Sequence, residues 1–373
     1  MHLFEKFIDS NNSIHRKSAY QKISEVDNSM SECVRERLES WFVAYSEDNK
    51  VDLHKRFTSI NDKEHFGAYL ELLSYTIFVQ LASKIRAQVK IGSGKPDMEM
   101  TISGITFTCE CTVTLGAELE QKSKLYEKIV LDVIEKIPCR YKIGVSFDDY
   151  IESPPNAKEI RKIIRELTVK YSDEAIDTII ATSNFKELPM LKYKSGKTEI
   201  QFNISRRKDD SERVVGTIST GMREVHLRDA VYSALKAKSK KYKDLQHPIL
   251  LILGYAGNRS PHMAIESVRE ALLGQFANVI VINSKEIKAK GPVLQPNGIW
   301  NSPEGLHNSR VAGVLFFPCL PYSNLNELKP TLIVNPQSDI NDKLDIPFAK
   351  QYIREGVLEI NDGDSVGSVL SKI

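Results

Sequence analysis

KPDMEMTISGITFTCECTVT, residues 95–114, holds two alternating runs split by Ser103-Gly104. A two-residue loop of this composition closes a β-hairpin and fixes its register. Ile102 then faces Ile105, Met98 faces Cys109 and Asp97 faces Glu110. Side chains alternate across a strand, so Asp97, Glu99, Thr101, Thr106, Thr108, Glu110 and Thr112 share one face. Met98, Met100, Ile102, Ile105, Phe107, Cys109, Cys111 and Val113 share the other. One face is wholly polar and the other apolar, a separation that a slip of one residue would scramble.

Two carboxylates facing each other across a ladder, about 5 Å apart, repel and cost stability unless a cation lies between them. Two readings fit the hairpin. Either the polar face is a solvated sheet surface with two exposed acids, or Asp97 and Glu110 hold a hard divalent ion. Mg²⁺ or Mn²⁺ suits such oxygen ligands and keeps waters of its own for chemistry.

Upstream of the hairpin, HFGAYLELLSYTIFVQLASKI (residues 65–85) predicts a long helix, apolar on more than one side and capped by Asn61 or Asp62. Before it, Val34, Leu38, Trp41, Phe42 and Tyr45 recur at helical spacing in a charged region. Downstream, the pattern predicts a helix over 118–136, a strand over 141–147, and a helix over 157–170. Strands follow at 178–182, 190–194 and 197–204, the last two turning at Ser195-Gly196. Two helix-to-strand units come next, 227–242 into 247–254 and 261–275 into 278–283. The chain reads as α/β. Its expected parts are an N-terminal helical region (1–54), a core (55–150) and a C-terminal α/β region (151–373) that shares the core sheet.

The 373 residues carry a formal net charge of +2, so any basic binding surface must be local. The five cysteines are an odd, dispersed set, which fits reduced thiols and no disulfide framework. Cys109 and Cys111 lack the further ligands of a zinc site and read as buried strand thiols. The apolar runs are too short to span a bilayer and the first residues lack a signal pattern, so a cytoplasmic, membrane-free protein is expected. GSGKP (residues 92–96) lacks the spacing of a phosphate loop. His54, His65 and His247 have no partner spacing and read as structural or surface groups.

Pro96-Asp97, Glu110 on the next strand and Glu71 on the preceding helix together resemble the PD-(D/E)XK, or restriction-endonuclease-like, nuclease superfamily. The similarity extends from RFTSINDKEHFGAYLELL (residues 56–73) through the hairpin, and to KAKSKKYKDLQHPILLIL, GIW and VAGVLFF further on. It implies a core of helix, hairpin, helix and strand. Glu71, Asp97 and Glu110 would then bind Mg²⁺ or Mn²⁺ for phosphodiester hydrolysis of nucleic acid, with DNA the expected substrate. A burial argument agrees for Glu71, since a carboxylate within an apolar helix needs a partner. A role in restriction or phage defence, as a homodimer or with partner proteins, follows by analogy alone.

The sequence departs from the superfamily at Thr112, which stands where a lysine is usual. A threonine hydroxyl can bond a water or phosphate oxygen but brings no positive charge. Lys122 is the expected replacement, because the stripe Lys122, Tyr126, Ile129, Val133 and Ile137 reads as the sheet-facing side of its helix. Lys95 is a second candidate, opposite Thr112 in the register. The rival expectation is a catalytically inactive nuclease fold that binds nucleic acid or protein. Arg206 and Arg207, with Lys238, Lys240 and Lys241, read either as phosphate contacts or as loop and helix-end charges that favour the helix dipole.

Overall fold

The computed structural model describes residues 1–4, 15–25, 29–88, 90, 94–147, 149–170, 172–181, 190–206, 214–218, 227–239, 247–257, 260–283, 286–303, 305–306, 310–340, 343–354 and 357–371. They fall into two units. The first comprises Met1–Asp9, Ser18–Gly116 and His226–Ile373, and the second Ser10–Lys17 and Ala117–Val225. Each is α/β, with a mixed sheet flanked by helices.

The first unit opens with helices α1 (Ala19–Glu25), α2 (Ser29–Ala44) and α3 (Lys50–Phe57). Val34, Leu38, Trp41, Phe42 and Tyr45 are buried, as their spacing predicts. Helix α4 (Asp62–Leu81) starts where Asn61 Oδ1 accepts the Lys63 amide at 3.0 Å. Its apolar residues point nearly all round, and it lies deep in the core. The helix stops at Leu81, short of the expected Ile85, and Lys84–Ala87 forms strand β1 instead.

The hairpin of β2 (Met98–Ile102) and β3 (Ile105–Thr114) keeps the predicted register from Ile102 opposite Ile105 to Met98 opposite Cys109. Ser103 and Gly104 both have positive φ, 49° and 78°, the twist that a two-residue hairpin loop needs. The apolar face packs in one core with Leu70, Leu73 and Ile77 of α4. The opposite face is not a solvated surface, since Thr108 and Glu110 on it are fully buried.

After Gly116 the chain enters the second unit, made of α5 (Glu118–Glu135), β4 (Tyr141–Phe147), α6 (Ala157–Lys170), α7 (Asp173–Ala181), β5 (Met190–Ser195), β6 (Thr198–Arg206) and β7 (Val215–Ile218). Its sheet runs β5-β6-β4-β7, and its core includes Val130, Ile134, Ile143, Ile164 and Phe202. Three expectations are corrected here. α5 and β4 do not extend the hairpin's sheet, because β4 pairs with β6 and β7. The stretch from Thr178 is helical, since Ile176 and Ile179 recur at helical spacing and Ile176 is buried. The β5–β6 turn falls on Gly196-Lys197, one residue later than predicted.

The chain returns to the first unit with α8 (Leu227–Ser239), β8 (Ile249–Tyr255) and α9 (Pro261–Leu273). Two small ladders follow, β9 (Phe276–Asn283) with β10 (Glu286–Leu294) and β11 (Asn301–Ser302) with β12 (Gly305–Leu306). The remaining elements are β13 (Val311–Phe317), β14 (Thr331–Val334), β15 (Ala349–Arg354), β16 (Val357–Asn361) and α10 (Val366–Leu370). The main sheet has the order β1-β2-β3-β8-β13-β14-β15-β16, with β8 parallel to β3 and to β13. Strands β8 and β13 to β16 thus lie in one sheet with the hairpin. The expected boundaries at 54 and 150 differ from the limits of the two units, because the N-terminal helices belong to the first unit and the second is inserted between β3 and α8. Among the described residues no helix is long and apolar enough to cross a membrane.

Candidate metal centre

Strand β3 pairs with β2 only as far as Cys109, and with β8 from Thr108 to Thr114. Thr108 donates its amide to Pro248 on the β8 side, so alternate amides, including that of Cys111, point toward β2. Asp97 Oδ2 accepts the Cys111 amide at 2.7 Å. Asp97 is thus not the ladder partner of Glu110 that the register predicted. It bends out one residue before β2, where its carbonyl accepts the Gln88 amide at 2.8 Å. Its carboxylate then caps the edge of β3 beside Glu110.

Glu110 is 0 % exposed, and Lys238 Nζ donates to its Oε2 at 2.5 Å. The lysine reaches it because Leu227, Val231 and Leu235 are the buried stripe of α8, and Lys238 is the next position on that side. The polar face of β3 is therefore covered by α8, and a cation from that helix meets the carboxylate inside.

Glu71, 1 % exposed, reaches the same neighbourhood from α4. Arg56 Nη2 donates to its Oε2 at 2.8 Å. Tyr45 Oη and Gln88 Nε2 donate to its Oε1 at 2.5 and 3.0 Å. Arg56 is shared with Asp52, its Nε donating to Oδ2 at 2.9 Å. Gln88 has a φ of 45°, a left-handed backbone uncommon for a residue with a side chain. Two contacts compensate that strain, its amide on the Asp97 carbonyl and its side chain on Glu71.

The charges interact strongly. Burial, then the charges of Glu71 and Glu110, push the Asp97 carboxyl up to about 7, while Lys238 and the Cys111 amide pull the other way. Burial opposes the Lys238 charge, but Asp97 and Glu110 outweigh it and hold its pKa above the usual lysine value. Arg56 is likewise held firmly charged by Glu71 and Asp52 against burial. Burial and Glu71 push the Tyr45 hydroxyl far up, so it stays a donor.

Thr112 is half-buried on β3, opposite Leu253 of β8. Lys122 belongs to the second unit, stands exposed on α5 and binds Glu118 at 2.6 Å, while the buried side of that helix runs through Ser123, Val130 and Ile134. Lys95 is exposed. Arg206 ends β6 opposite Tyr141 in the second unit, and Arg207, Lys240 and Lys241 lie outside the described residues. Glu99, on the shared hairpin face, pairs with Arg86 and takes no part in the site. Cys109 and Cys111 are core thiols whose pKa is pushed up by burial. His65 is a core residue bridging the Phe57 carbonyl and the Tyr322 hydroxyl.

Sequence reasoning placed Lys238 only among surface cations, yet the 227, 231, 235 stripe was the signal that turns it inward. Arg56, Tyr45 and Gln88 carry no local signal, since what unites them is one carboxylate far along the chain. Among the described residues no three His, Cys, Asp or Glu side chains are grouped so as to hold a metal ion. All three carboxylates accept from protein donors, and Asp97 and Glu110 are the two that meet at the edge of β3, where two carboxylates with waters can form the first shell of a hard cation. No protein-family model matches the chain, and neither does a curated protein or a solved structure.

Proposed function

We propose that the protein is a metal-dependent nuclease that hydrolyses phosphodiester bonds in nucleic acid, with DNA the favoured substrate and Asp97, Glu110 and Lys238 at the working site. The observation that carries this reading is the meeting of three elements at the edge of β3. Asp97 enters from the bend before β2, Glu110 from β3 itself and Lys238 from α8, with Nζ 2.5 Å from the glutamate. Helix α4, hairpin β2–β3, helix α8 and strand β8 also follow the helix, hairpin, helix, strand order of a restriction-endonuclease-like core, once the inserted second unit is set aside.

Asp97 and Glu110 would hold Mg²⁺ or Mn²⁺, which supplies Lewis acidity and a water ready to attack phosphorus. The residues of the chain do the rest. Lys238 brings the positive charge that Thr112 does not, and offsets charge gathering on the phosphate oxygens. The Thr112 hydroxyl is an additional bonding group for water or phosphate on the same strand. The Cys111 amide fixes the orientation of Asp97 before any substrate arrives.

The test is incubation of the protein with single- and double-stranded DNA and RNA in Mg²⁺ or Mn²⁺, beside Asp97→Ala, Glu110→Ala and Lys238→Ala. Cleavage lost in all three supports the site; cleavage that persists in Asp97→Ala and Glu110→Ala refutes it. A second reading, a nuclease-like fold that binds without cutting, draws on the ion pairs Arg56–Glu71 and Lys238–Glu110, which neutralise two acids from within. It predicts nucleic-acid binding unchanged by EDTA and by Asp97→Ala.

A further inference from the structure

We infer that Glu71 is a positioning residue that sets Asp97 through Gln88 and takes no metal itself, so that the site holds a single divalent ion on Asp97 and Glu110. This rests on the metal-dependent reading above and assigns its parts. The chain of contacts is continuous. Tyr45 and Arg56 hold the Glu71 carboxylate at 2.5 and 2.8 Å, and Glu71 Oε1 accepts the Gln88 side chain at 3.0 Å. Gln88 then donates its amide to the Asp97 carbonyl at 2.8 Å, and Asp97 Oδ2 accepts the Cys111 amide at 2.7 Å.

Three features make Gln88 the link. Its backbone is left-handed, a conformation that costs energy for a residue with a Cβ and needs outside support. It is buried, so its side-chain amide depends on protein acceptors. It also directly follows β1, whose Ala87 carbonyl accepts Asn49 Nδ2 at 3.1 Å, so Asn49 and Glu71 grip this corner at two points. Asp97 lies outside the β2–β3 ladder, one step beyond the β1–β2 ladder, so its pairing with β3 does not place it. The Gln88 amide and the Cys111 amide do.

Glu71 cannot serve as both anchor and ligand. Both of its oxygens already accept from protein donors, Oε2 from Arg56 and Oε1 from Tyr45 and Gln88, and turning either one to a metal would break a contact that holds the carboxylate or Gln88 in place. Two carboxylates with solvent waters are an ordinary first shell for Mg²⁺, so the site is complete without it.

The test counts Mn²⁺ bound per chain by calorimetry and electron paramagnetic resonance, with circular dichroism to show that each variant is folded. Wild type is expected to bind one Mn²⁺, and Asp97→Asn and Glu110→Gln none. Glu71→Gln and Gln88→Gly are each expected to keep one Mn²⁺ with affinity weaker by about tenfold, the usual cost of a lost outer contact. Gln88→Gly accommodates the left-handed backbone and loses the side-chain contacts to Glu71 and Asp52. The double variant should be no weaker than either single one, because both break the same chain of contacts. A stoichiometry of two, loss of binding in folded Glu71→Gln, or additive losses in the double variant would overturn the inference and leave the nuclease reading standing. No Mn²⁺ bound by wild type would overturn both.

Discussion

Glu71 and Glu110 are two buried glutamates of one unit, neutralised in different ways. On the α4 side, Glu71 sits among donors from the N-terminal helices and from the end of β1, with Arg56 locked between it and Asp52. On the α8 side, the cation on Glu110 is a lysine from the last turn of a helix, and the repelling acid Asp97 lies beside it. A guanidinium forked between two acids is a fixed structural ion pair. A single ammonium on a flexible stem beside two acids can yield to a divalent ion or turn toward a phosphate. On the proposed function, the difference separates a frame from a working edge, although the two lie close enough for Glu71 to act on Asp97.

The largest expected effect breaks this comparison most directly. Glu110→Gln should lower metal-dependent cleavage by on the order of 10³-fold or more, measured in single-turnover reactions, since it removes a ligand and the seat of Lys238. Glu71→Gln should cost about tenfold, as an outer contact does. Equal losses in two folded variants would mean that the frame and the working edge are one site.

Stability should show the reverse ranking. Arg56→Ala leaves Glu71 buried with neutral donors only, which costs about 3–5 kcal/mol in urea unfolding. Lys238→Ala also strands a buried carboxylate, but next to a site suited to a cation, so millimolar Mg²⁺ should recover most of its loss. Mg²⁺ should recover little in Arg56→Ala. Recovery in both variants would place the ion against Glu71 and contradict the assignment.

Asp97 gives a pH signature of the working edge. Its carboxyl is raised from the ordinary 3.8 to about 7, by burial and by Glu71 and Glu110, against Lys238 and the Cys111 amide. Between those values the folded protein binds more protons than the unfolded chain, so this group's contribution to stability falls as pH rises from about 4 to about 7, then levels. His65, pushed down to about 4 by burial, contributes the opposite slope below its ordinary 6.5. The comparison is therefore between metal-free wild type and Asp97→Asn, which share the histidine. Thermal unfolding should show the variant gaining on wild type with rising pH. Saturating Mg²⁺ should remove the difference in slope by favouring the ionised carboxylate.

How much of this was legible follows from where each determinant lies. The hairpin register depends on Ser103-Gly104 and on adjacent residues, and local chemistry settles it as far as Met98 and Cys109. One residue further, Asp97 answers to Gln88 and Cys111 as well as to its own strand, and the register no longer places it. The inserted unit was hidden for a different reason. Tyr141–Phe147 has the apolar pattern of any core strand, and its partners in β6 and β7 come only after two further helices. Alternation tells that a strand is buried and does not tell in which sheet. The stretch from Thr178 misled because its β-branched residues favour strands, while burial of Ile176 on a helical stripe prevailed. Glu71 was legible as a buried acid in need of a partner, but Arg56 and Tyr45 become its neighbours only when the N-terminal helices pack on α4.

The smallest expected effect concerns which lysine serves the site. Lys122 and Lys238 both follow apolar stripes on helices, and the helix after the hairpin seemed the nearer source of a cation. A stripe carries a lysine inward only where the lysine occupies one of its positions. On α8 the buried series Leu227, Val231 and Leu235 leads to Lys238, whereas on α5 the buried positions Ser123, Val130 and Ile134 leave Lys122 outside, bound to Glu118 one turn earlier. An exposed pair of this kind adds little to a fold. Lys122→Ala should therefore leave the melting temperature, Mn²⁺ affinity and cleavage rate unchanged within error, while Lys238→Ala alters all three. If Lys122→Ala instead abolished cleavage with Mn²⁺ binding intact, the catalytic cation would come from the inserted unit, and the working edge described for α8 would hold metal without supplying the charge.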